Sequence, residues 1–97
     1  DQIFTRFDAV VTPTMTAVAN PADQDFRAYF ARYSGTAIGA AANAAGIPAI
    51  TVPNGFGERG LPTGIKLVGR AFDENRLIAI ASQYQKDTDW HNQHPSI

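Results

Sequence analysis

The sequence contains no cysteine. That absence excludes a disulfide framework, a thiolate nucleophile and a cysteine-ligated metal site together, and it accords with a cytoplasmic location. Charge of one sign is scarce as well. Eight lysines and arginines against nine acidic residues leave a formal net charge of −1. That is too little to gather a nucleic acid or an anionic membrane surface, so neither is expected as a partner. Long apolar runs are also missing. Nothing approaches the roughly eighteen residues of a membrane span, and no basic segment precedes an apolar core as in a secretory leader. The longest run of small residues, "SGTAIGAAANAAG", is interrupted by Ser34 and Asn43.

What is present suits a small folded unit. Hydrophobic residues make up 44% and charged residues 18% of the 97, ordinary proportions for a globular chain. This length allows one domain with a thin stability margin. The chain opens on Asp1, and "DQIFTRFD" reads as the last turns of a helix with Ile3, Phe4 and Phe7 on a buried face. A helix end this short does not persist alone. Residues 1–97 are therefore expected to be a single fragment of a longer protein.

Residues 9–13, "AVVTP", read as a short buried strand closed by a proline. A connector follows, with Asn20-Pro21 as a turn signal. Asp23 or Asp25 is placed to cap a helix on which Phe26, Tyr29, Phe30 and Tyr33 recur at i, i+3, i+4, i+7. Ser34-Gly35 breaks that pattern, while Gly46 and Pro48 end the alanine-rich stretch. One broken helix, or two in tandem, is expected over residues 24–45. Strands are expected at residues 49–53 and 65–69. A last helix follows Asp73, its buried stripe formed by Leu77, Ile80, Ala81 and Tyr84, and Trp90 anchors the polar tail. The order helix remnant, β, α, β, β, α indicates an α/β fold whose sheet is covered by helices on both faces.

Residues 55–60 spell G-x-G-x-x-G after an apolar run, the lettering of a dinucleotide site. That site needs a helix opening at the third glycine, so that its free N–H groups meet the pyrophosphate. Here Pro62 disfavours helical geometry at Leu61 and Gly64 breaks any helix begun there. The glycines are expected to serve a β–β connection.

Other chemistry is thinly supported. His91 and His94 form H-x-x-H, but no third ligand is placed to complete a metal site; they read as solvated tail residues. Gly35-x-x-x-Gly39 reads as tight packing against a sheet or another helix. The aromatic stripe of residues 26–33 reads as core, with one tyrosine as a candidate pocket lining. The serines are Ser34, Ser82 and Ser96, and the lysines Lys66 and Lys86. A Ser34–Lys66 dyad has no local support, because no sharply turned, glycine-flanked serine is present. Composition and spacing reveal no catalytic residue, no metal site and no cofactor site.

The order of several motifs is more specific. "DAVVTPT" at residues 8–14, "NAAGIPAITVPNG" at 43–55, "GLPTGIKLVGRAFDENRLIAIA" at 60–81 and "TDWHNQHP" at 88–95 together resemble the C-terminal end of the amidase signature family. The resemblance implies a much longer α/β enzyme with a mixed β-sheet between helical layers. Such enzymes hydrolyse carboxylic amides, or transfer ammonia from them, by a Ser–cis-Ser–Lys triad without metal or cofactor. The family's nucleophile stretch and catalytic lysine belong to its N-terminal part. No residue here matches a triad position, so neither Ser34 nor Lys66 gains a catalytic role. What the resemblance does imply is one wall of the substrate pocket around Thr36, Ala37 and Ala40. In the family's glutamine-using members an acidic residue that grips the substrate ammonium stands near the position of Thr36. A neutral threonine there points to an uncharged or bulkier amide. Asn43 matches a family position and reads as a residue whose hydrogen bond stabilises the helix-to-strand joint.

The leading expectation is thus the C-terminal segment of an amidase, inert alone, with a small-molecule amide as the whole enzyme's substrate. Its own partner would be the N-terminal part or a second copy. The alternative is a stand-alone interaction or oligomerisation module that pairs through open sheet edges.

Overall fold

Three strands frame the molecule, in a computed structural model that describes residues 2–33 and 41–96. β1 (Val10–Pro13), β2 (Ala49–Phe56) and β3 (Pro62–Val68) form one sheet in the order β1-β3-β2. β3 is central and antiparallel to both neighbours. Val11 and Ile50 both stand opposite Leu67, while Thr12 and Thr51 both stand opposite Lys66. Opposed residues share a face. Ile50, Val52, Ile65 and Leu67 therefore line one side, and Thr12, Thr51, Gly64 and Lys66 the other.

The first face carries the core. α3 (Glu74–Asp87) packs on β2 and β3. Leu77 and Ala81 are buried against Val52 and Leu67, with Ile80 and Tyr84 beside them, which is the stripe expected from helical periodicity. Leu77 is only 2% exposed. It reaches this depth because Gly69 has no side chain: a Cβ there would stand 3.1 Å from Leu77 Cγ and Cδ2. Asp73 precedes the helix as expected, yet its carboxylate makes no capping bond. It accepts from Arg76 Nε at 2.9 Å instead.

α1 (Phe26–Tyr33) and α2 (Ala41–Ala45) are the helical segments described within the 24–45 region. Asp25 is the cap, its Oδ1 accepting from the Arg27 amide at 3.1 Å. α2 ends in a Schellman motif: Gly46 takes φ +67°, its amide donates to Asn43 O, and the Ile47 amide donates to Ala42 O. Asn43 thus serves the joint through its backbone carbonyl.

Three expectations need correction. Residues 3–7 are not the end of a buried helix. Only a 3₁₀ turn, Ile3–Thr5, forms, and Ile3 and Phe7 are 48% and 54% exposed. The segment is tied down by polar contacts, with Arg70 donating to the carbonyls of Phe4 and Phe7 and Arg76 pairing with Asp8. The two phenylalanines of the α1 stripe are not core either. Phe26 and Phe30 are 67% and 57% exposed and stack on each other at 5.8 Å. Periodicity groups residues on a face without specifying what covers it. Finally, the described sheet is antiparallel throughout rather than mixed, and α3 is the helix packed broadly on it. A mixed sheet needs a parallel neighbour that these three strands do not supply.

Candidate functional site

The strands flanking the glycine motif are longer than their apolar runs suggest: β2 continues to Phe56 and β3 begins at Pro62. Residues 54–64 are thus a hairpin tip, and each glycine has its own task. Gly55, at φ +139°, follows the register shift that begins at Pro53. Arg59 and Gly60 take φ values of +58° and +67°, and the Leu61 amide donates to Glu58 O at 3.1 Å. Consecutive positive φ values are what a type I′ hairpin turn requires. Gly57 serves close approach, since a Cβ there would lie 2.9 Å from Val18 Cγ1. No helix opens at Gly60, so the geometry of a dinucleotide site is absent from this stretch.

The contact between Gly57 and Val18 brings the connector after β1 down onto the hairpin. Val18 is buried there. Arg59 then donates through its guanidinium to the carbonyl of Ala19 at 2.9 Å, and Thr63 Oγ1 donates to Asn54 Oδ1 at 2.8 Å across the hairpin. At the hairpin end of β2, Trp90 meets Phe56 edge-on, with ring centroids 6.4 Å apart. This is the anchoring expected of Trp90.

Between connector and hairpin lies an open cleft of about 430 Å³. Its floor is the Gly64 face of the sheet, with Thr51, Pro53 and Gly64; Thr14 and Val18 come from the connector, and Tyr29 from α1. Tyr29, partly buried, is among the residues that line this cleft. Thr14 Oγ1 donates to Thr51 Oγ1 at 3.4 Å beside Gly64. No acidic, basic or histidine side chain lines this cleft among the described residues. A second hollow of about 490 Å³ shares Val18 and Tyr29 with it but is rimmed by Asp23, Glu58 and Arg59. The uncharged cleft and the charge-rimmed hollow are thereby separated by a shared wall.

Such a cleft can hold and orient an uncharged molecule through hydroxyl hydrogen bonds. Among the described residues it holds no serine–lysine pair: Ser82 and Ser96 are exposed, and Lys66 stands in mid-strand between Thr12 and Thr51. The sequence-expected pocket residues Thr36, Ala37 and Ala40, together with Ser34, lie outside the described residues. His91 and His94 are exposed, and no group of three or more metal-ligating side chains occurs among the described residues. No described helix is long and apolar enough to cross a membrane. The threonines of the cleft were missed in the sequence because Thr14 and Thr51 are 37 positions apart. Gly64 did carry a signal, since a glycine inside a strand often marks close backbone approach or a ligand.

A protein-family model described as Amidase matches residues 1–78. A glutamyl-tRNA(Gln) amidotransferase subunit of Chloroflexus aggregans is 41% identical over 97 residues, covering 100% of this chain and 20% of that protein. The corresponding protein of Roseiflexus sp. strain RS-1 is 40% identical over 96 residues, 99% of this chain and 20% of the relative. That of Thermodesulfovibrio yellowstonii is 34% identical over 97 residues, again 20% of its length. The chain thus spans about a fifth of the curated relatives it matches.

Proposed function

The chain belongs to the amidase family, and on that premise we propose that residues 1–97 are the C-terminal part of a cytoplasmic enzyme that hydrolyses carboxylic amides. The nucleophilic serine, the cis-serine and the lysine lie in the upstream part of that enzyme. The serine hydroxyl adds to the amide carbon, the C–N bond breaks as the leaving ammonia takes a proton relayed from lysine, and water then releases the acid from the acyl-serine. This chain contributes no reacting group. It supplies sheet, covering helix and a wall of the substrate pocket that includes Thr36, Ala37 and Ala40.

One observation carries the reading: the whole chain aligns to about a fifth of its relatives' length. The relatives named above are amidotransferase subunits; for this chain the neutral Thr36 favours hydrolysis of an uncharged amide over use of glutamine. The test is ammonia release by the longer polypeptide that joins this chain to its catalytic part. Turnover of an uncharged amide, weakened by Thr36→Asp, is the expected result. Turnover of glutamine alone would overturn the substrate assignment.

A second reading is favoured by one feature. β1 and β2 are both edge strands among the described residues, and open edges are templates for pairing with another chain. In that reading the module associates without catalysis. A monodisperse monomer in sedimentation would count against it.

A further inference from the structure

The hairpin carries an assignment independent of the amide-hydrolase reading. We propose that Asn54–Gly55 is a self-modifying site, at which Asn54 loses its side-chain amide to attack by the Gly55 backbone nitrogen when the hairpin opens, with Thr63 as the residue that holds the site shut.

The chemistry begins in the sequence. Of Asn20, Asn43, Asn54, Asn75 and Asn92, only Asn54 is followed by glycine. The following residue supplies the attacking nitrogen, and glycine offers it with no Cβ in the path. Even the space a Cβ would fill at Gly55 has no neighbouring atom within 4 Å, so the approach is uncrowded on that side. Water is the one co-reactant. Gly55 N gives its proton to a solvent base and bonds to Asn54 Cγ, while negative charge gathers on Oδ1. The Cγ–Nδ2 bond then breaks, and ammonia leaves with a proton from water. Water next opens the five-membered imide at one of its two carbonyls. One opening leaves aspartate at position 54; the other leaves an isoaspartyl link, whose backbone runs through the side chain.

Thr63 controls both reacting groups. It stands opposite Gly55 across the hairpin, and its Oγ1 donates to Asn54 Oδ1 at 2.8 Å. Ring closure needs the Asn54 carboxamide to swing over its own peptide bond, away from Thr63, and the backbone to leave its strand conformation. The hydroxyl bond opposes the first movement and the register opposes the second. That opposition is local. The register shift leaves Asn54 itself without a β3 partner, and β2 is an edge strand among the described residues. Two contacts brace this end of the hairpin, Arg59 on the Ala19 carbonyl and Phe56 on Trp90. Openings confined to such an end cost far less than global unfolding, and each one releases electrophile and nucleophile together.

The change is one-way and alters the cleft. Pro53 and Thr63 both line it. Aspartate places a negative charge beside that wall. The isoaspartyl link adds a methylene to β2 and displaces Phe56 from its register with Pro62. The site thus records hairpin opening as a permanent charge or kink.

The test incubates the 97-residue chain at neutral pH, folded and in urea, and follows conversion at each asparagine by peptide mass spectrometry. In urea, Asn54 is expected to convert before the other asparagines. The folded chain is expected to convert it at least about tenfold more slowly. Thr63→Val keeps the shape and strand propensity but loses the hydroxyl. It is expected to speed conversion in the folded chain about fivefold, the worth of one net hydrogen bond. Thr63→Ser keeps the donor and should convert at the wild-type rate. Packing by the Thr63 methyl alone would give the reverse, a slow valine variant and a fast serine variant. If Thr63→Val disturbs folding, seen as faster amide exchange at Val52 and Leu67, the serine variant and the folded-against-urea comparison decide the matter. Equal rates in the folded and unfolded wild type, no precedence of Asn54 in urea, a fast Thr63→Ser, or a folded Thr63→Val no faster than wild type would overturn the assignment.

Discussion

The guanidinium of Arg59 donates to the carbonyl of Ala19 at 2.9 Å, across forty positions of sequence. The bond ties the hairpin tip to the connector and so holds two walls of the cleft together. Arg59 also sits at φ +58°, a conformation that costs a non-glycine residue about 1 kcal/mol or more. Arg59→Ala and Arg59→Gly both remove the bond, but only glycine relieves the backbone. The glycine variant is expected to be the more stable by roughly 0.5 kcal/mol, since glycine's greater freedom in the unfolded chain offsets part of the gain. Both variants should speed amide exchange at residues 17–19, as read by hydrogen–deuterium exchange.

Gly69 and Leu77 share one space. Gly69→Ala places a methyl 3.1 Å from Leu77 Cγ and Cδ2, and overpacking of this kind costs about 1–3 kcal/mol. Leu77→Ala alone leaves a cavity and costs roughly 2–5 kcal/mol. In the double variant the added methyl enters the vacated space, so the combined loss should be smaller than the sum of the two single losses. Urea unfolding of the four proteins measures that coupling.

Phe72 is 94% exposed and holds φ +64°. It bears the cost of a left-handed backbone with little packing in return. Phe72→Asn keeps a residue that tolerates this conformation and removes exposed apolar surface. A stability gain of roughly several tenths of a kcal/mol is expected, together with less self-association in light scattering.

Asp8 receives Arg76, and Arg76 also bonds Asp73 at 2.9 Å. The side chains of Arg76 and Asp8 are 44% and 68% exposed. A pair this open contributes at most about 1 kcal/mol. Asp8→Asn should therefore cost less than that, and the cost should fade as added salt screens the charges. A thermal melt at low and high ionic strength separates this from a packing effect, which salt would not remove.

Local signals were legible wherever one short stretch determined the outcome. β-branched runs marked the strands, period 3.6 marked the Leu77/Ala81 stripe, and Gly46 before Pro48 marked the end of α2. Legibility failed where the outcome depended on remote chain. Phe26 and Phe30 carry a helical pattern identical to that of a core stripe, yet they are mostly exposed. β2 continues past Pro53 through Asn54, which the register shift leaves without a β3 partner, and Gly55, residues of poor strand propensity, because the pairing of Gly55 and Phe56 with β3 overrides it. The cleft was invisible for the same reason: Thr14, Thr51 and Gly64 come from three separate strands or strand ends. The glycine motif, by contrast, was decided locally, since Pro62 and Gly64 already excluded a phosphate-binding helix.

The central claim is that this chain carries the pocket and not the reacting groups of an amide hydrolase. Ammonia release from benzamide by the 97-residue chain, measured beside the longer polypeptide that contains it, tests that claim most directly. The expected result is turnover by the longer polypeptide and none by the chain alone. Turnover by the chain alone, abolished by Ser34→Ala, would contradict it.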